Sequence, residues 1–209
     1  MKQLNGPGTK MTKEQLDLHK EAAAAECACM NMLLHRAGDL KPHVDKLVVV
    51  ATDGKAAAET KLRALDTLTV VVASKLGSAE YGAFKADLAR GFPDGTIIDV
   101  VAAAGECRAA LSMESSELRP IARKLVGFAA NADVEPGLRA LALYSLADVV
   151  AARRLRTLEH SAFQGDLERA FSDGVPAEVA HAFAVFNTAL SERAGREARD
   201  AQFSRHRAR

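Results

Sequence analysis

The sequence predicts an all-α fold, an α-solenoid of about four helix pairs plus an N-terminal capping helix. Three observations predict it. The first is an ungapped internal repeat. Glu80 to Ser112 reads EYGAFKADLARGFPDGTIIDVVAAAGECRAALS, and Glu159 to Ser191 reads EHSAFQGDLERAFSDGVPAEVAHAFAVFNTALS. Phe84, Asp87, Leu88, Arg90, Phe92, Asp94 and Gly95 recur as Phe163, Asp166, Leu167, Arg169, Phe171, Asp173 and Gly174. Upstream, Lys46-Leu47-Val48 matches Lys124-Leu125-Val126, and Leu40-Lys41-Pro42 matches Leu118-Arg119-Pro120. Leu62-Arg63-Ala64-Leu65 likewise matches Leu138-Arg139-Ala140-Leu141. The long period is roughly 78 residues.

The second observation is a shorter period. Turns fall at Asp53-Gly54, Asp94-Gly95 and Asp173-Gly174, with Ala132-Asp133 in the expected fourth place. They stand about 40 residues apart, the spacing of paired-helix repeats. The third is periodicity: each turn follows an apolar segment and precedes a longer helical pattern.

Taken in order, residues 1–11 contain Asn5-Gly6-Pro7-Gly8 and read as a disordered segment. Thr12 is an N-cap with Gln15 at the reciprocal capping-box position. The helix it opens runs to about Arg36, with Gly38 serving its C-terminus. Leu16, Ala23, Cys27, Met30 and Leu34 lie close to one face of it. Glu26-Cys27 matches Glu106-Cys107, so this capping helix stands in register with the second helix of a pair. Its outer residues Lys13, Asp17, Lys20 and Glu21 are expected to face water.

The first pair spans about Asp39 to Thr52, with Pro42 in its first turn, and Lys55 to Leu76. In the second of these, Ala58, Leu62, Leu65, Thr69, Val72 and Leu76 form one stripe. Val70, Val71 and Val72 alone suggest a strand, but the surrounding 3.6-residue period outweighs them. Gly77 ends that helix and Ser78 can cap the next. The second pair covers about Ala79 to Phe92 and Thr96 to Met113. The third begins at Ser115 or Ser116, reaches Ala130, and resumes between Asp133 and Pro136 to continue to Arg156. The fourth runs to Phe171, then from near Pro176 past Gly195. Residues 12–196 form a single domain and 197–209 a charged, fraying tail. Gly95, like Gly54 and Gly174, is expected at φ > 0 or in a tight turn.

At this point the chain resembles the HEAT/armadillo group of helical repeats, from about Leu40 to Leu190. The turn Asp followed by an Arg on the next helix, as in Asp133 and Arg139, carries the resemblance, with Asp53, Lys61 and Arg63 at looser spacing. The resemblance implies that the second helices line a concave binding surface. On the helical wheel their outward positions include Thr60, Arg63, Thr67, Ser74, Arg139 and Asn187, which are the candidate partner contacts. Arg63 and Arg139 have a second reading, as structural partners of their turn aspartates.

Composition narrows the function classes. The 209 residues carry 28 Lys and Arg against 27 Asp and Glu, so no global field attracts nucleic acid or acidic membrane. The three cysteines, Cys27, Cys29 and Cys107, do not make a secreted disulfide framework. No secretory signal is legible and no apolar run approaches the length of a membrane span. The expected setting is cytoplasmic.

Candidate chemistry is sparse. Cys27, Cys29 and His35 fall short of a zinc quartet and read as buried structural cysteines and a separate histidine. Asp53, Asp94, Asp133 and Asp173 recur because Asp caps the N–H groups at a helix start. His160 and His181 are read as surface or half-buried, and no His-Glu dipeptide of the HEAT-repeat iron hydroxylases occurs. Arg153, Arg154 and Arg156 form a basic knot, and Arg193, Arg196, Arg199, Arg205, Arg207 and Arg209 a basic tail diluted by acids. No phosphate loop or nucleophile motif is present.

The expected function is non-enzymatic: a scaffold or adaptor with no cofactor and no metal. Its partner is a protein, with an acidic segment favoured at Arg153, Arg154 and Arg156. The alternatives are a nucleic-acid-associated protein, including a DNA-glycosylase-like one, an enzyme, or a subunit of a larger complex. Absent Trp and neutral charge weigh against nucleic acid.

Overall fold

The computed structural model describes residues 11–92, 95–113, 118–152 and 157–207. Among these residues are nine α-helices and no strand, so the fold is all-α. The N-terminal segment before Met11, the turn residue Asp94, the cap candidates Ser115 and Ser116, and the basic knot Arg153, Arg154 and Arg156 lie outside the described residues. So do the side chains of Arg205, Arg207 and Arg209.

Helix α1 (Lys13–His35) starts at the expected capping box. Thr12 Oγ1 accepts from the Gln15 N–H at 3.2 Å, and Gln15 Oε1 accepts from the Thr12 N–H at 3.0 Å. Its end differs from expectation. Arg36, not glycine, begins the left-handed reversal at φ 50°, and Gly38 follows at φ 94°. The buried face also differs. Ala22, Ala25 and Cys29 are buried, while Cys27 is exposed and Leu16, Met30 and Leu34 stand 42%, 45% and 76% exposed. Small side chains let α1 lie close on its neighbours, and the longer residues would hold it off. Lys13, Asp17, Lys20 and Glu21 face water, as expected.

Helix α2 (Lys41–Thr52) has Pro42 in its first turn and buries Val44, Leu47, Val48, Val50 and Ala51. Helix α3 (Ala58–Lys75) packs on α1 and α2. Gly77, at φ 81°, turns the chain after it. Helices α4 (Tyr81–Gly91), α5 (Gly95–Met113), α6 (Leu118–Ala130), α7 (Pro136–Ala151), α8 (Thr157–Ala170) and α9 (Ala177–Arg207) complete the order. Alternate helices pack on one another: α1 on α3, α3 on α5, α5 on α7, and α7 on α9. Helix α3 also touches α7 directly. Helix α2 also meets α4, and α6 meets α8.

Side-chain links repeat this spacing. Lys55 pairs with Glu14 at 2.7 Å, 41 residues away, and Arg108 with Asp66 at 2.8 Å, 42 residues away. Arg63 pairs with Glu26 across 37 residues. Each link joins a helix, or the turn before it, to the helix two places earlier in chain order.

The core runs from α1 to α9, and α7 is its centre. Leu138, Leu141, Leu143, Leu146, Val149 and Val150 are all buried, and α3, α5, α6 and α9 surround them. A helix that is apolar all round is a buried one. Each fully buried leucine contributes about 1.5–3 kcal/mol relative to exposure.

The turn carboxylates work differently from expectation. Asp53 Oδ1 accepts from the Lys55 N–H at 2.7 Å, an Asx turn, while the N-cap of α3 is Ala57 with no side-chain bond. In the corresponding turn Asn131 Oδ1 accepts from the Asp133 N–H at 2.9 Å, and the N-cap of α7 is Glu135, again without a side-chain bond. The acids and amides shape the linkers, and Pro136 sets the start of α7.

Glycines divide sharply. Gly174 takes φ 112°, as expected of its turn. Gly54 has no such left-handed angle but sits in the expected tight turn, closed by the Ala56 N–H to the Asp53 carbonyl at 3.2 Å, whereas Gly95 is already the first residue of α5, which corrects its expectation. Gly105 serves packing instead: a Cβ there would stand 2.5 Å from Val72 Cγ1 and 2.9 Å from the Thr69 carbonyl oxygen. Gly105→Ala is therefore expected to lower stability by about 1–3 kcal/mol, against alanine's better helix propensity. Gly95→Ala, whose Cβ would meet nothing within 4 Å, is expected to be neutral or stabilising. Urea unfolding midpoints of the two variants check the contrast.

Candidate functional site

Two grooves are lined by corresponding positions of the internal repeat. One lies between α2 and α4, with a volume of about 740 Å³. The other lies between α6 and α8, with a volume of about 590 Å³. Val48, Ala83 and Phe84 give the first its apolar lining, and their repeat counterparts Val126, Ala162 and Phe163 line the second. Asp45, Val49 and Thr52 correspond to Arg123, Gly127 and Ala130. Glu80 and Asp87 correspond to Glu159 and Asp166. Every residue lining the smaller groove thus has its counterpart lining the larger one.

The edges carry ion pairs. Asp87 pairs with Arg90, and Asp166 with Arg169, at the same position in each repeat. Glu80 meets Lys75 at 3.4 Å, whereas Glu159 pairs with Arg119. Lys41 and Asp45 stand 3.5 Å apart across one turn of α2. Such exposed pairs contribute little to stability. At the far end of the larger groove, α4 closes on α2 through Gly91, where a Cβ would stand 2.6 Å from Val48 Cγ1. Val49 projects from the rim, 58% exposed.

A third concavity of about 380 Å³ lies among the first turns of α3, α7 and α9. Leu62, Ala140 and Tyr144 form its wall, with Glu59, Glu178 and His181 around them. The Tyr144 and His181 rings meet edge to face at 6.3 Å. Burial pushes the Tyr144 hydroxyl up from its ordinary range.

The residues proposed as concave contacts do not converge on any of these. Thr60 and Thr67 are buried, which corrects their outward placement. Helix α3 is covered by α1, α2, α5 and α7, so its second face is interior too. Thr60 Oγ1 hydrogen-bonds His19 Nδ1 at 3.2 Å, and the Thr67 hydroxyl donates to the Arg63 carbonyl at 3.0 Å. Arg139 is buried as well: its Nε donates to the Ala129 carbonyl at 3.0 Å, and its guanidinium lies 4.9 Å from the centre of the Phe171 ring. Desolvation lowers its pKa. It does not take a turn aspartate, and Arg63 pairs with Glu26 instead of Asp53. Ser74 is exposed and Asn187 half-buried.

Two basic or titratable groups move inward. His160 is buried, not at the surface, and its Nε2 accepts from Arg193 Nη1 at 2.6 Å, since a guanidinium can only donate. Arg193 also donates to Glu197 at 2.7 Å, so it belongs to the α8–α9 junction and not to a solvated tail. His181 is exposed.

Among the described residues no group of three or more His, Cys, Asp or Glu could hold a metal ion. Cys27 is exposed, against expectation, while Cys29 and Cys107 are buried. Burial raises the pKa of both buried thiols, and with Asp148 adding and Arg108 offsetting it takes Cys107 to about 12. No described helix is long and apolar enough to cross a membrane. No protein-family model, curated protein or solved structure matches the chain.

Three predictions follow the burial. A thiol reagent at neutral pH is expected to label one cysteine, Cys27, in the native protein and all three in guanidinium, as counted by mass spectrometry. Because the folded Cys107 holds its proton above the ordinary value of 9.0, its contribution to stability is intact below about pH 9. That contribution is lost as pH rises toward about 12, and Cys107→Ala should flatten this alkaline slope. Arg139→Met, which orphans the Ala129 carbonyl, is expected to cost about 1–3 kcal/mol of unfolding free energy.

Proposed function

We propose that this chain is a short α-solenoid of HEAT-like helix pairs, with α1 as its cap, and that it is a non-enzymatic scaffold or adaptor that binds protein. In this reading the pairs are α2–α3, α4–α5, α6–α7 and α8–α9. The seats are the grooves between successive first helices, α2–α4 and α6–α8, and not the second-helix positions named from the wheel.

One observation carries the reading: the same repeat positions line both grooves. Folding asks only that buried positions recur. It does not ask for the same exposed ion pair, Asp87 with Arg90 and Asp166 with Arg169, at both edges. Grooves with an apolar floor and a charged rim suit helix-in-groove recognition. A repeated helix pair sets such seats in a row. Three free thiols suit a reducing, cytoplasmic setting.

The test places a photo-crosslinking side chain at Val49, at Gly127, and at Glu168 on the exposed side of α8 as a control. Adducts with the same protein from the native cell are expected at the two groove positions and not at Glu168. Absence of any adduct at both grooves would overturn the reading.

A further inference from the structure

The two grooves share a floor but not a field. Among the described residues, the α2–α4 groove carries four carboxylates, Asp39, Asp45, Glu80 and Asp87. Against them stand Lys41 and Lys75 on its lining and Arg90 on its edge, a net charge of −1. Among the described residues the α6–α8 groove carries two carboxylates, Glu159 and Asp166. Against them stand Arg123 on the lining and Arg119 and Arg169 on the edges, a net of +1. The sequence position that separates them most is Asp45, whose counterpart is Arg123.

We propose that the α2–α4 groove is the seat of a basic amphipathic helix of a partner protein, and that Asp45 against Arg123 is what directs that helix to this groove. The proposal rests on the protein-binding reading above and adds the partner's chemistry. Glu80 and Asp87 lie seven residues apart, two turns or roughly 10 Å along α4. A partner helix lying alongside offers lysines or arginines at the same interval, while its apolar residues at i, i+3 and i+7 meet Val48, Val49 and Phe84. The rim acids now hold exposed partners, Lys75 and Arg90, and exposed pairs exchange readily for a partner's cation. Opposed charge across the rim sets the encounter rate and the orientation, while the apolar floor supplies the burial.

The experiment uses the full chain and two fluorescent peptides of about 18 residues, long enough to be helical. Both carry leucines at i, i+3 and i+7; one has lysines beside them, the other glutamates. The lysine peptide is expected to bind one to one, more weakly as salt rises. Asp45→Arg should weaken it by about tenfold. Arg123→Asp should add a second equivalent site, seen as a stoichiometry of two. Both positions are exposed, so circular dichroism should show the fold unchanged. Equal or tighter binding of the glutamate peptide, or Asp45→Arg binding like the parent, overturns the proposal. If neither peptide binds while the crosslinker at Val49 captures a partner, the basic helix is refuted and the protein-binding reading stands. If no groove position captures anything, that reading fails first.

Discussion

Helix α7 carries buried apolar residues around most of its circumference from Leu138 to Val150, where Asp148 alone is exposed, and so it has to be covered on nearly every side. Helices α3, α5, α6 and α9 supply the cover, and most of the architecture follows from that requirement. Helix α5 can serve only by coming close to α3, which is why position 105 has no side chain. Arg139, the buried charged residue of α7, is tolerated because a carbonyl takes its Nε–H and the Phe171 ring faces its guanidinium. A buried charge without such partners would cost several kcal/mol.

The helices themselves were legible in the sequence. The Thr12–Gln15 box, Pro42, Gly77 and Pro136 mark starts and stops through backbone chemistry that acts locally, and the structure puts boundaries there. Faces were less legible. A helical wheel separates inside from outside only when one face is covered, and α3 is covered on several. Thr60 and Thr67 read as outward because they are polar, yet a hydroxyl bonded to a carbonyl four residues back is at home in a core, as at Thr67. In α1 the error ran the other way. Large apolar residues suggested the interior, but the close approach of helices selected Ala22, Ala25 and Cys29.

The candidate grooves were present in the sequence in a weaker form. Phe84 and Asp87 recur as Phe163 and Asp166, and the repeat shows this without any structure. What the repeat could not show is that these positions face a neighbouring first helix across open space. That depends on how far α4 stands from α2, which Gly91 and Val48 decide from opposite sides of the contact. Attention to the second helices as the binding surface passed over the first ones, where identity between the halves is kept at exposed as well as buried positions.

The central place of α7 also bears on the order in which the chain can be made. A ribosome releases α3, α5 and α6 before α7, and α9 after it. When Leu138 to Val150 emerge, three of their four neighbours are already available and the fourth is not yet synthesised. For that interval the nascent chain holds an open apolar trough where α9 will lie. Such surface is what chaperones capture and what drives premature association. A stop or a frameshift between Ala151 and Ala177 would make that interval permanent, since α9 would never arrive to cover the trough.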